Sequence, residues 1–398
     1  MDEVLARWLT GPEGVAALAV GAAQADPSSL AAATALRRQW NPEQAAAVLT
    51  QEQLRRRAAA KLGERARTLF LTQAGLEQAT RPAVAAWRAR VLAGSGARRV
   101  VDLGCGLGVD ALAFLRAGLS VVAVERDPVT AVFAAANLSG AREGLDDAPT
   151  AEVRCADVVE AAADLLDPTD AVFLDPARRS DRGRSWRLAD LSPSWEFTRE
   201  VLRGRLGCAK LGPGFPINQL PDDLGATWVS ERGDLVELSL WSRTPYEPGS
   251  RRAVLLPAGD ELDAGVRREV PLGEVGRYLY EPDPAVIRSG GTAALAESLG
   301  ARALSPGIAY LSSDTLARTP FVTAFEVLEV MPWDERRLRA WAREHDIGTL
   351  EIKVRGLDVD PAELRKRLKL RGRGSATVLL TLHRGDARLH VVRRRTVA

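Results

Sequence analysis

The stretch from Arg98 to Pro128, RRVVDLGCGLGVDALAFLRAGLSVVAVERDP, narrows what this chain can fold into more than any other. Its pattern predicts a strand over 99–103, a turn built on Gly104, Gly106 and Gly108, a helix over 110–116 and a second strand over 120–124 ending on Glu125. Strand, helix and returning strand make half of a nucleotide-binding α/β unit. The glycines let backbone approach a ligand where a Cβ would obstruct it, and the turn aims free helix N–H groups at polar ligand atoms. Glu125, 21 residues beyond Gly104, stands where a carboxylate at a strand tip can accept both ribose hydroxyls of an adenosine. Asp102 precedes the first glycine by two residues, in D-L-G-C-G-L-G. A carboxylate there suits an amino group and repels a pyrophosphate.

These residues resemble the cofactor half of class I S-adenosylmethionine-dependent methyltransferases. Asp102, Gly104, Gly106 and Gly108 match that family's glycine-rich first motif, and Glu125 matches its ribose-binding acid. The resemblance implies S-adenosyl-L-methionine as cofactor. Read without it, the stretch also accommodates a dinucleotide-binding domain or a turn with no ligand.

The full sequence of 398 residues has room for two or three domains, and 46% hydrophobic with 27% charged residues is an ordinary globular balance. No apolar run approaches a membrane span, and the weakly signal-like 15–23 is preceded by Asp2 and Glu3, so a helix face and a cytoplasmic protein are expected. Cys105, Cys155 and Cys208 have neither metal-ligand spacing nor a disulfide count, and read as small buried side chains; no metal is expected. Net charge is +2, yet residues 361–398 hold 11 Lys+Arg against 2 Asp+Glu, which leaves −7 for the rest.

Residues 1–95 read as four to six short helices with no strand, two of them starting at Asp26-Pro27 and Asn41-Pro42. Thr80 before Pro82 reads as the cap of a helix over 83–92; it and Gln78 are also candidates to touch the cofactor, since in related methyltransferases this helix closes over it. From residue 98 strands and helices alternate, as a parallel sheet with crossover helices requires. Asp157, just past a third strand at 151–155, is either a helix cap or, as the resemblance implies, an acceptor for the adenine amino group.

The fourth strand, 171–174, runs into Asp175-Pro176-Ala177-Arg178-Arg179 at the edge where such sheets gather their chemistry. The segment resembles the D/N-P-P-Y motif of methyltransferases acting on exocyclic amines of nucleobases, which implies that Asp175 and the Pro176 backbone accept hydrogen bonds from the amine. Ala177 and Arg178 depart from the motif's second proline and its aromatic, so no residue stands at its fourth position to stack on a base. Arg178, Arg179, Arg182, Arg184 and Arg187 make a basic loop with Asp181 and Trp186 among them. Lys210, ending a fifth strand, faces the same edge, either to pair with Asp175 or to approach substrate phosphate. Strands over 227–230 and 235–241 should close the sheet as a hairpin, in which Glu237 reads as structural.

Beyond a linker at 245–252, the order from residue 321 is strand, helix, strand, helix, strand, strand, a small α+β domain with helices on one face. The helix over 361–370 and the loop Arg371-Gly372-Arg373-Gly374 form its basic patch, read as a flexible loop suited to a phosphate backbone. Phe325 to Val330, Leu350 to Gly356 and Leu370 to Thr377 resemble the THUMP-like domain. With Gln78-Ala79-Thr80 and Asp175 to Arg179, nearly the full length resembles a bacterial class I methyltransferase with a C-terminal THUMP-like domain, which implies an RNA substrate.

The expected fold is therefore α/β, a Rossmann-like seven-stranded sheet (80–246) with an N-terminal helical domain (1–79), a connecting α+β region (247–320) and the THUMP-like domain (321–398). Asp102, Gly104, Gly106, Gly108, Glu125, Asp157 and Thr80 are the cofactor candidates, Asp175 and Pro176 the catalytic ones, and Arg178, Arg179, Lys210, Arg371 and Arg373 the substrate-binding ones. A non-catalytic RNA-binding protein and a small-molecule methyltransferase are the competing readings. A C5-type enzyme with a cysteine nucleophile is disfavoured because Cys208 lies within its strand.

Overall fold

Six helices open the chain: α1 (Glu3–Thr10), α2 (Pro12–Ala22), α3 (Leu30–Arg37), α4 (Pro42–Leu62), α5 (Gln73–Gln78) and α6 (Pro82–Gly94). The computed structural model describes residues 1–141, 149–178, 188–266 and 268–396, Arg178 by its backbone alone. Asn41 and Gln44 form the reciprocal capping box that starts α4. Asp26 does not start a helix. Its carboxylate accepts from the Ser28 backbone at 2.9 Å in a local turn, and Ser29 caps α3 instead. Among the described residues the extended segment at 69–72 pairs with no strand, and side-chain amides satisfy its backbone. Gln51 exchanges two hydrogen bonds with Leu71, at 2.7 and 2.9 Å, and Asn137 exchanges two with Phe70, at 2.8 and 3.1 Å. These bonds hold the chain that leads into α5.

The sheet follows as β1 (Arg99–Leu103), β2 (Ser120–Glu125), β3 (Ala151–Cys155), β4 (Ala171–Leu174), β5 (Gly207–Leu211), β6 (Gly225–Glu231) and β7 (Asp234–Ser242), with α7 (Val109–Arg116), α8 (Pro128–Gly140), α9 (Val158–Leu165) and α10 (Trp195–Leu202) between strands. Its order is β3-β2-β1-β4-β5-β7-β6. The first five strands are parallel, and β7 runs antiparallel to β5. All four residues of β4 are buried, as a central strand covered on both faces demands. Pairing continues from β6 to β8 (Arg251–Leu256) and β9 (Asp260–Asp263), so the sheet has nine strands and not the expected seven. The chain separates into two compact units, Met1–Ala226 with Glu237–Gly249, and Thr227–Val236 with Ser250–Ala398.

The second unit carries β10 (Tyr278–Pro282), α11 (Pro284–Ser289), α12 (Thr292–Ser298), β11 (Leu311–Ser313), β12 (Val322–Pro332), α13 (Glu335–Glu344), β13 (Ile347–Arg355), α14 (Pro361–Leu368), β14 (Gly374–His383) and β15 (Asp386–Arg395). The short strand 302–303 and then β11, β10, β12, β15, β14 and β13 form one sheet in that order, with strands from before residue 320 in the same ladder as those after it. Strand alternation separates two cores. Val378 and Leu380 join Leu338 and Trp341 of α13 and Leu364 and Leu368 of α14 on one face, whereas Leu379 packs with Leu279, Tyr310 and Phe325 on the other. No helix among the described residues is long and apolar enough to cross a membrane.

His390 in β15 is fully buried, and neither ring nitrogen has a hydrogen-bond partner. Burial first, then nearby His383 and Arg388, push its pKa down from 6.5 to about 4. The unfolded chain therefore binds the proton more readily, and stability is lost as pH falls below 6.5. Between pH 6.5 and about 4 the second unit should lose about 3 kcal/mol through this group. Hydrogen exchange of β15 amides against pH reads it out. If His390→Leu retains the same acid dependence, the assignment is wrong.

Candidate functional site

The turn after β1 forms the floor of a cavity of about 650 Å³ in the first unit. Gly104 and Gly106 line it with φ of 95° and 54°, values that disfavour any side chain, and an added Cβ at either would meet no protein atom within 4 Å. Gly108 holds the left-handed cap of α7 with φ of 77° and lies outside the lining, so its part is to turn the chain. No side chain caps α7, whose first residues Val109 and Asp110 face the cavity. Glu125 is held by two backbone donors, Gly106 N at 3.1 Å to Oε2 and Asp127 N at 2.9 Å to Oε1. Each oxygen keeps acceptor capacity for a hydroxyl. Asp157 both caps α9, accepting from Val159 N at 2.8 Å, and lines the cavity.

Asp110, Glu125, Asp127, Asp157 and Asp175 face this space, and Arg126 is the one basic residue among the described lining. Such a surface favours a cationic ligand and opposes a pyrophosphate. Asp102 is not at the surface. It is fully buried behind the turn with both oxygens unpartnered, and burial, reinforced by Asp110 and Asp175, holds its pKa well above the usual carboxylate range. The direct grip on an amino group expected of it is not made from this position, because β1 carries it inside the sheet.

At the other rim, Asp175 follows β4 and receives the Lys210 ammonium at 2.5 Å. Burial acts to lower the Lys210 pKa, but the carboxylates of Asp175, Asp110 and Glu237 outweigh it and hold the ammonium above its ordinary value. Of the two readings of Lys210, the structure has the pair with Asp175. Pro176 is buried, and Ala177 pairs in antiparallel register with Ser192, so that Asp175, Ala177, Ser192, Pro193 and Phe197 share the cavity. The side chain of Arg178 lies outside what is described, and so do Arg179, Asp181, Arg182, Arg184, Trp186 and Arg187. Cys208 is fully buried in β5, and burial pushes its thiol up to about 12, which leaves no thiolate for nucleophilic attack. Cys155, expected inside, is exposed at the end of the edge strand β3.

Thr80 does not cap a helix. The cap position of α6 falls to Arg81, and the Thr80 hydroxyl donates to Asp110 Oδ2 at 2.6 Å. Asp110 in turn pairs with Arg88, whose other guanidinium nitrogen donates to Glu237 Oε1 at 2.5 Å. Arg88 is fully buried against the Phe173 ring, 4.6 Å from its centroid. Burial alone would lower its pKa, but Asp110 and Glu237 outweigh that and raise it. This chain ties α6, α7 and β7 together behind the cavity wall. Sequence reasoning missed Arg88 and Asp110. The available signal was Arg88 beside Trp87 in a helix whose other residues, Arg90 apart, are apolar or small, and Glu237 in a largely apolar strand as its counter-charge.

In the second unit, the last turn of α14 and the following loop bound a cleft of about 570 Å³ lined by Arg339, Arg343, Arg367, Lys369 and Arg371, with Asp346 the sole acid. Arg339 and Arg367 bond Glu335 at 2.9 and 3.0 Å, whereas Arg343, Lys369 and Arg371 form no ion pair among the described residues. Arg371 and Arg373 are exposed. The loop that carries them is pinned, contrary to the flexibility expected of it. Gly372 N donates to Ile347 O at 3.2 Å and Gly374 N to Asp346 O at 2.7 Å, and a Cβ on Gly372 would fall 2.0 Å from the Asp346 carbonyl. Glycine there permits close backbone packing. Among the described residues no group of three His, Cys, Asp or Glu side chains could hold a metal ion.

Comparison with known proteins agrees with this geometry. A family model described as THUMP domain-like matches residues 322–394, and a domain of unknown function matches 4–58. Two uncharacterised S-adenosylmethionine-dependent methyltransferases, from two strains of Mycobacterium tuberculosis, are each 37% identical over 344 residues, covering 82% of this chain and 90% of theirs. A crystal structure of a candidate methyltransferase from Porphyromonas gingivalis W83 superposes over 100% of both chains with a TM-score of 0.80 at 24% identity, a likeness of fold.

Proposed function

This chain belongs to the S-adenosylmethionine-dependent methyltransferases, with a THUMP domain-like region at its C-terminal end, and from that premise we propose that it methylates RNA, on an exocyclic amine of a base. One observation carries the reading: a single cavity holds the ribose-type carboxylate Glu125 at one rim and Asp175, braced by Lys210, at the other. Its acidic lining fits a donor whose sulfonium and ammonium groups are positive. Glu125 holds the ribose hydroxyls, Asp157 the adenine amino group, and Gly104 and Gly106 give room for close approach. Gly108 turns the chain into α7, whose uncapped first residues Val109 and Asp110 present N–H donors to the donor's carboxylate. Thr80 fixes Asp110 in the wall, and Asp102 adds its influence from behind the turn without contact.

Bound, the donor supplies a methyl group already activated by positive sulfur. The protein's part is placement. Asp175 and the Pro176 carbonyl accept the acceptor's N–H groups and turn its lone pair toward the methyl, while Lys210 holds the carboxylate in place. Arg371 and Arg373, with Arg343 and Lys369, attract the phosphate backbone, which the acidic cavity would repel. Arg178 and Arg179 remain candidates for the same task from their sequence alone.

Incubating the full chain with radiolabelled donor and total RNA from a strain lacking the gene, followed by nucleoside mass spectrometry, is the direct test. A labelled base amine is expected; label confined to small molecules would replace RNA with another substrate class. For Glu125→Ala, calorimetry should show donor affinity weakened about 10- to 100-fold, the equivalent of losing charge-assisted hydrogen bonds. Wild-type affinity would remove the ribose assignment.

A further inference from the structure

We propose that Phe197 is the platform on which the acceptor base stacks, taking the place left without an aromatic after Pro176. The inference rests on the RNA reading above and names a residue that determines its specificity. Phe197 is the one aromatic side chain among the described residues lining the cavity. It is half-buried, and no other ring packs on it among the described residues. Besides Gln78 and Arg126, the rest of the lining is carboxylates, glycines and small or aliphatic side chains, so the ring presents apolar surface into a largely acidic space. Such a face is satisfied best by a flat ligand, which covers it without asking for hydrogen bonds.

Its position follows from the backbone. Ala177 pairs with Ser192 and Arg178 with Leu191, which joins the segment after Asp175 to the chain that enters α10. Ser194 caps that helix, accepting from the Phe197 backbone at 3.2 Å, so the ring is borne on the first turn of a regular element and not on a free loop. Pro193 and Ser194 line the cavity beside it. The pairing therefore brings Phe197 to the Asp175 rim, whereas Glu125 and Asp157 stand after β2 and β3. A base held there would offer its edge to Asp175 while its face lies on the ring.

The experiment compares the full-length wild type with Phe197→Ala, Phe197→Leu and Phe197→Tyr, using total RNA as acceptor and calorimetry for the donor. Stacking serves ground and transition state alike, so Phe197→Ala should raise the KM for RNA about 10- to 100-fold and leave kcat within about threefold. Phe197→Leu should match alanine, because it is apolar but not flat, and Phe197→Tyr should restore the wild-type KM. Donor affinity should be unchanged in all three, which also verifies folding. An unchanged KM in Phe197→Ala overturns the proposal, and so does full activity in Phe197→Leu. Weakened donor binding would overturn it by assigning the ring to the cofactor. If wild type itself transfers no methyl to RNA, the RNA reading falls and takes this inference with it; activity on RNA with an unaltered Phe197→Ala removes the stacking role alone.

Discussion

Asp175→Ala is expected to lower kcat on RNA by at least about 100-fold while donor affinity stays near wild type. The carboxylate stands at the rim opposite Glu125, and its work is to orient an acceptor that is a weak nucleophile. A misplaced lone pair forfeits the in-line approach without disturbing the donor. Asp175→Asn should fall between alanine and wild type, since the amide oxygen still accepts a hydrogen bond but no longer balances Lys210, 2.5 Å away. Asp175→Ala also leaves the Lys210 ammonium partly buried without its partner. The double variant Asp175→Ala with Lys210→Met separates that cost, because it restores neutrality and should recover stability with no recovery of rate. Undiminished kcat in Asp175→Ala would remove it from catalysis and leave the RNA-binding reading without chemistry at this rim.

Arg88→Met should destabilise the first unit by about 3–5 kcal/mol, because one substitution strands two buried carboxylates, Asp110 and Glu237, at once. Methionine fills much of the arginine's volume, so the loss reports charge more than a void. Hydrogen exchange of α6 and α7 amides measures the loss, and a value under about 1 kcal/mol would deny the network its role. Thr80 shares Asp110 with Arg88, so donor affinity should weaken in the same variant.

Much of the fold is legible from local chemistry. β1 and β4 have the bounds that apolar runs and their flanking turns predict, because a parallel strand inside the sheet is covered on both faces, and the edge strand β3 keeps its predicted bounds although it carries Glu152 and Arg154. The glycine turn is legible because few residues other than glycine adopt its left-handed angles. Local rules failed where two equally good partners competed. Asp26 has both the identity and the following proline of a helix start, yet its carboxylate is taken by Ser28 two residues on. Thr80 has a cap's identity, but the cap position of α6 falls one residue later, at Arg81, and the Thr80 hydroxyl donates to a buried carboxylate from α7.

By itself the sequence determined which residues could bear chemistry: the glycine turn, Glu125, Asp157, Asp175 and the basic C-terminal stretch, all identified by residue type and by distance along the chain. Only the tertiary structure decided how they are used. It withdrew Asp102 behind the turn, joined Lys210 to Asp175 across two strands, bound Arg88 to Asp110 and to Glu237 149 residues away, and brought an aromatic ring from α10 to a rim whose own motif lacks one. The division has a physical cause. Backbone angles and periodic burial depend on near neighbours, whereas the energy of a buried charge or an exposed ring depends on what the whole fold sets against it.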